Sequence, residues 1–117
     1  MTDCATTGSF ADYGVEDGSV LVRRMYRSLA GTDAEGPYTG ATFDRLERAF
    51  RSAFASETGL DGLPEPVELA LEDALYRTRE GYLGATRDLR TGLVTDFYRD
   101  LAGYHCAYAT PREPGFR

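Results

Sequence analysis

The stretch LPEPVELALEDALYRTREGYLGATRDLRTGLVTDFYRDLAGYHCAYA, residues 63–109, decides the fold of this 117-residue chain. After its opening Leu-Pro-Glu-Pro it reaches Thr110 without another proline. Val67, Leu71, Leu75, Thr78, Tyr82, Thr86, Leu89, Leu93, Phe97, Leu101, Tyr104 and Tyr108 recur at steps of three and four in one phase, the repeat of a helix face and not of a strand. Pro66 suits a first helical position, where its fixed φ is pre-organised and its missing N–H has no partner to lose. Glu65, Glu68, Glu72 and Asp73 place negative charge on the positive helix end. Thr110-Pro111 and Pro114 stop the helix, because proline disfavours helix in the residue before it and donates nothing to the ladder.

Continuity inside the stretch is the open point. Gly81, Gly84, Gly92 and Gly103 each cost about 1 kcal/mol relative to alanine in a helix interior. Arg90-Thr91-Gly92 reads as a helix end followed by a new start. A single rod at about 1.5 Å per residue would outrun the usual diameter of a domain this size. A break or kink near residues 90–92 is therefore expected in preference to one unbroken helix.

Working upstream, residues 59–66 form a short linker, which favours antiparallel packing of the helices it joins. Before it, Thr39 or Thr42 caps a helix running to about Thr58, with Phe43, Leu46, Phe50 and Phe54 on one face. Asp44 with Arg48 and Glu47 with Arg51 make i,i+4 pairs on the other, and Gly59 supplies the stop. Residues 31–40, centred on Gly36-Pro37, are a turn-rich loop. Val20 to Ala30 is a first helix with Val22, Met25, Tyr26 and Leu29 as its stripe and Asp17 or Ser19 as its cap. Residues 1–18 are small and polar, with Phe10 and Tyr13 as their only large apolar groups, and read as a mobile arm. The expectation is an all-α fold: a small helical bundle, residues 19–109, built on one long C-terminal helix, with a flexible N-terminal arm and an extended tail at 110–117.

Length makes this one domain. Ile, Asn, Lys, Gln and Trp are absent, a pattern that a GC-rich genome explains for the first three. Thirteen arginines face nineteen acids, for a net charge of −6. That balance opposes duplex nucleic-acid binding, which draws most of its affinity from phosphate neutralisation, and fits either a halophilic host or a GC-rich mesophile. Nothing at the N-terminus resembles a signal peptide and no window is apolar enough to span a membrane, so a soluble protein made inside the cell is expected.

Cys4 and Cys106 lie at opposite ends and do not imply a disulfide framework. His105 beside Cys106 suggests a metal, but neighbours on a helix diverge by about 100°, and Leu101, Ala102, Tyr108 and Ala109 offer no further ligand. No metal, cofactor or catalytic residue is expected, and a variant lacking Cys4, His105 and Cys106 is expected to fold normally. Glu68 with Glu72 and Asp96 with Asp100 are like-charged pairs that either chelate a cation or are neutralised locally. Arg23, Arg24, Arg27, Arg45, Arg48 and Arg51 form either an anion site or a solvated face. Tyr76, Tyr82, Phe97, Tyr98, Tyr104 and Tyr108 cover more than one helix face, which points to subunit contacts beyond core packing.

Leu63-Pro64-Glu65-Pro66-Val67-Glu68-Leu69-Ala70, followed by Leu75-Tyr76-Arg77 and Arg79-Glu80-Gly81, resembles the head–tail connector (adaptor) family of tailed viruses. The resemblance implies a non-enzymatic virion protein, a homo-oligomeric ring that joins the portal to the tail, with residues 110–117 as a tail docking on the portal. The candidate partner contacts are then Arg112, Phe116 and Arg117 in that tail, with Tyr98, Tyr104 and Tyr108 on the long helix. The alternative is a small acidic cytosolic regulator or protein-binding module of the GC-rich host. Neither reading involves a membrane or sequence-specific nucleic acid.

Overall fold

In the computed structural model, which describes residues 10–15, 17–30, 39–82 and 90–109, the decisive stretch folds back on itself. Four α-helices are present among these residues: α1 Ser19–Ala30, α2 Gly40–Thr58, α3 Glu65–Tyr82 and α4 Arg90–Ala109. A 3-10 turn at Ala11–Tyr13 precedes them, and the described residues contain no strand. The all-α bundle is as expected, but its last part is a helical hairpin and not one long helix. The reversal falls between Tyr82 and Arg90, with residues 83–89 outside the described set. Arg90, Thr91 and Gly92, where the break was expected, open α4 instead.

The hairpin register follows from three side-chain contacts that run in opposite directions along the two helices. Tyr82 meets Asp96, Arg77 meets Asp100, and Tyr108 meets Asp73. Folding back lets Val67, Ala70, Leu71, Ala74 and Thr78 of α3 face the same interior as Leu93, Val94, Phe97 and Leu101 of α4. A continuous rod would keep the same stripe in phase but leave half of it bare to water.

The other pairs are antiparallel as well. Arg24 of α1 reaches Glu57 near the end of α2, and Arg51 and Phe43 of α2 meet Glu68 and Arg79 of α3, the last pair as a cation over a ring at 5.6 Å. Contacts also join α1 to α4. The result is an up-down-up-down four-helix bundle in which α1 and α3 each sit between α2 and α4.

Local chemistry explains the helix ends. The Asp17 carboxylate accepts from the Ser19 N–H at 3.0 Å, which satisfies one of the open donors of α1 and holds the carboxyl below its usual range. At α2 the Thr39 N–H donates to Thr42 Oγ1 at 3.1 Å, so both threonines share the cap. Gly59, at φ +74°, closes α2 in the left-handed region and donates its N–H to the Ala55 carbonyl. α3 starts one residue before Pro66, with the Pro64 carbonyl accepting from Val67 and Glu68.

The segment assigned to a mobile arm is partly core. Residues 1–9 lie outside the described set, but Phe10 is 1% exposed and Val15 is buried. Phe10 packs between α2 and α4, against the middle and second half of each helix. Its ring lies 5.7 Å from Phe54 edge-on, 6.2 Å from Phe50, 6.0 Å from Tyr98 and 4.8 Å from His105. Short, polar surroundings made the segment look featureless, while a single phenylalanine suffices to anchor it. Replacing a buried phenylalanine by alanine costs about 3–5 kcal/mol. Phe10→Ala is accordingly expected to lower the unfolding free energy in denaturant titration by that amount, whereas an arm free in solution would give almost no change.

Candidate functional site

Helix α3 buries Val67, Ala70, Leu71, Ala74 and Thr78, which turns Glu65, Leu69, Glu72, Tyr76 and Glu80 outward. Leu69 and Tyr76 are 37% and 65% exposed, and Tyr108 of α4 adds a third exposed apolar body to this side at 44%. The Tyr108 hydroxyl donates to the Asp73 carboxylate, bracing the outer seam of the hairpin. Carboxylates surround these rings closely enough to affect their acidity. Asp73 holds the Tyr108 phenol above its ordinary value, and Glu80 does the same to Tyr76 through a hydrogen bond. An exposed aromatic set within an acidic frame is suited to a partner that supplies apolar surface and positive charge.

The tyrosines expected to contact partners are distributed unequally. Tyr108 is on this exposed face. Tyr104 is half-buried against the core, and Tyr98 is half-buried with its hydroxyl against Gly18. A β-carbon at Gly18 would lie 2.2 Å from that hydroxyl oxygen, so the start of α1 comes close to α4 and any side chain at position 18 would have to displace the Tyr98 ring tip. Arg112, Phe116 and Arg117 lie outside the described residues. Leu69 was missed because the helical stripe was read only for its core face; once Val67, Leu71 and Ala74 are placed inside, residues 69 and 76 must point outward.

Three of the four paired carboxylates, Glu68, Asp96 and Asp100, have local partners. Arg51 grips Glu68 with two hydrogen bonds of 2.8 and 3.1 Å and also donates to Glu47 at 3.0 Å, so Glu68 is lowered and Arg51 raised from their ordinary pKa values. Asp96 accepts from Tyr82 at 2.5 Å and pairs with Arg99 at 2.9 Å, and Asp100 faces Arg77 at 3.6 Å. Among the described residues no group of three or more potential metal ligands comes together.

His105 and Cys106 are both built into the fold. His105 is 3% exposed, stacks under Phe10, and has Nε2 at 3.0 Å from the Tyr13 hydroxyl. Cys106 is disulfide-bonded. The sequence contains one other cysteine, Cys4, which lies outside the described residues. Distance along the chain hides the bond, because spacing speaks only for close pairs, and nothing next to His105 in sequence reveals the distant segment that covers it.

The six arginines also separate. Arg23 donates to Ser19 Oγ at 3.2 Å, Arg24 pairs with Glu57 at 2.6 Å, and Arg51 faces α3. Arg24, Arg27, Arg45 and Arg48 line a groove between α1 and α2.

Comparison of the chain with protein-family models, with curated proteins and with solved structures finds no match.

Burial, and after it the charge of Asp17, pushes the Tyr98 phenol from 10.0 up to about 12. Between those values the unfolded chain has lost the proton while the folded chain retains it, so stability falls as pH rises across this window and is unaffected by Tyr98 below it. In chemical denaturation at a series of pH values, Tyr98→Phe should lose stability less steeply than the parent above pH 10 and run parallel to it below. Equal slopes above pH 10 would contradict the burial of this hydroxyl.

Proposed function

We propose that the protein is a structural, non-enzymatic virion component, a head–tail adaptor that forms a homo-oligomeric ring between portal and tail. The observation that carries this reading is the outward face of the α3–α4 hairpin. Tyr76, Leu69 and Tyr108 stand there in contact with water. The residues that resemble the connector family, Leu63 to Ala70 with Tyr76 and Glu80, build the start and the exposed side of that same helix. The functional resemblance and the unsatisfied apolar surface therefore coincide in space.

The disulfide at Cys106 favours a virion setting over the alternative of a cytosolic regulatory module. Disulfides persist on virion surfaces and in other oxidising surroundings, and are rare in the reducing cytosol of mesophiles. In this reading the tail at residues 110–117, with Arg112, Phe116 and Arg117, docks on the portal, where a modest contact repeated around a ring gains from multivalency.

Sedimentation of the purified protein, alone and mixed with portal, tests the assignment. The expected result is a species of several 12.9 kDa subunits, or a stoichiometric complex on the portal ring. Leu69→Glu with Tyr76→Glu should disperse it, and deletion of residues 110–117 should abolish portal attachment while leaving the thermal midpoint nearly unchanged. A monomer under both conditions would refute the adaptor role.

A further inference from the structure

The groove between α1 and α2 lies on the opposite side of the bundle from the α3–α4 hairpin, and its chemistry is of the opposite kind. Arg24, Arg27, Arg45 and Arg48 stand along it, and Ser28 and Ser52 lie between them. The floor is Ala49 and Ala53, small enough to leave two adjoining hollows of about 160 and 300 Å³ that share Ser28, Ala49 and Ser52. Arg24 is committed to Glu57. Arg27, Arg45 and Arg48 form no ion pair with any carboxylate among the described residues.

That isolation runs against composition. Nineteen acids face thirteen arginines, so a randomly mixed surface would leave carboxylates in excess and few arginines unpaired. Here Arg51 has two glutamates, Arg24, Arg77 and Arg99 each have one acid, Arg23 and Arg79 are held by the Ser19 hydroxyl and the Phe43 ring, and the three arginines that share one groove have no such partner among the described residues. Like charges collected on two adjacent helix faces repel one another, a cost that a bound anion removes. Asp44 stands four residues before Arg48 at the spacing of a helix ion pair, but the pair is not formed, and the Arg48 side chain lines the groove instead.

We propose that this groove is a binding site for a small phosphate-class oxyanion. Guanidinium forks from both walls can each engage two oxygens, and the serine hydroxyls between them supply neutral donors at the floor. A tetrahedral oxyanion presents enough acceptors to answer several forks at once, whereas a carboxylate presents only two oxygens. The site is independent of the hairpin face, so an occupied groove and an assembled ring are separate outcomes.

Isothermal titration with inorganic phosphate and with pyrophosphate, in a chloride buffer of matched ionic strength, tests the site on the full chain. Saturable binding near one equivalent is expected, tightest for pyrophosphate if both hollows are filled. Arg45→Ala and Arg48→Ala should each weaken it by about tenfold, the scale of one charge-assisted hydrogen bond. Arg77→Ala, which removes one charge from the far side of the bundle, should leave affinity within about twofold, since distant exposed charges are screened. Circular dichroism on each variant separates lost binding from lost fold. Absence of saturable binding, equal weakening by Arg77→Ala, or tighter binding of a short polyglutamate peptide than of pyrophosphate would each overturn the proposal.

Discussion

The contact of Phe10 with both α2 and α4 is the constraint on which the bundle depends. Four antiparallel helices bury their facing stripes along the sides, and Phe10 fills the space between two of them by touching Phe50 and Phe54 on one helix and Tyr98 and His105 on the other. Aromatic pairs of this kind add about 0.5–1.5 kcal/mol each beyond the area they bury. Because α2 and α4 are diagonal in the bundle, this ring reinforces the direct ring contact between them, Phe50 with Phe97 at 6.3 Å. Tyr13 repeats the connection, lying edge-on to Phe54 at 5.8 Å and bonded to His105.

Charge organises what the core leaves free. One arginine crosses each of three helix seams: Arg24 to Glu57, Arg51 to Glu68 and Arg77 to Asp100. Exposed pairs of this type are worth about 0–1 kcal/mol each, so they set register and orientation more than stability. Their effect on the surface is larger than their energy. With these acids engaged at the seams, α3 keeps an acidic, aromatic outer face and Arg27, Arg45 and Arg48 of the α1–α2 groove face no carboxylate among the described residues. A protein with net charge −6 thus carries two sides of opposite character.

Helix positions were largely legible in the sequence, because periodicity and caps act locally. The Thr39–Thr42 cap, the Gly59 stop and the Pro64–Pro66 start were all readable from neighbouring residues. What was hidden depends on residues far apart. The stripe from Val67 to Tyr108 keeps its phase whether the chain continues or reverses, so phase alone could not distinguish a rod from a hairpin. Phe10 and His105 are ninety-five positions apart, and neither explains itself without the other. The candidate faces were half legible: the tyrosines and arginines were noticed, but which of them share a surface is decided by the reversal after Tyr82.

Proton–proton Overhauser contacts from the Phe10 ring test the central claim most directly. The account predicts cross-peaks from Phe10 ring protons to both the Phe54 ring and the His105 imidazole, together with strongly ring-shifted resonances at His105. Random-coil shifts for Phe10, with no contact to either helix, would contradict it and return residues 10–15 to a disordered arm.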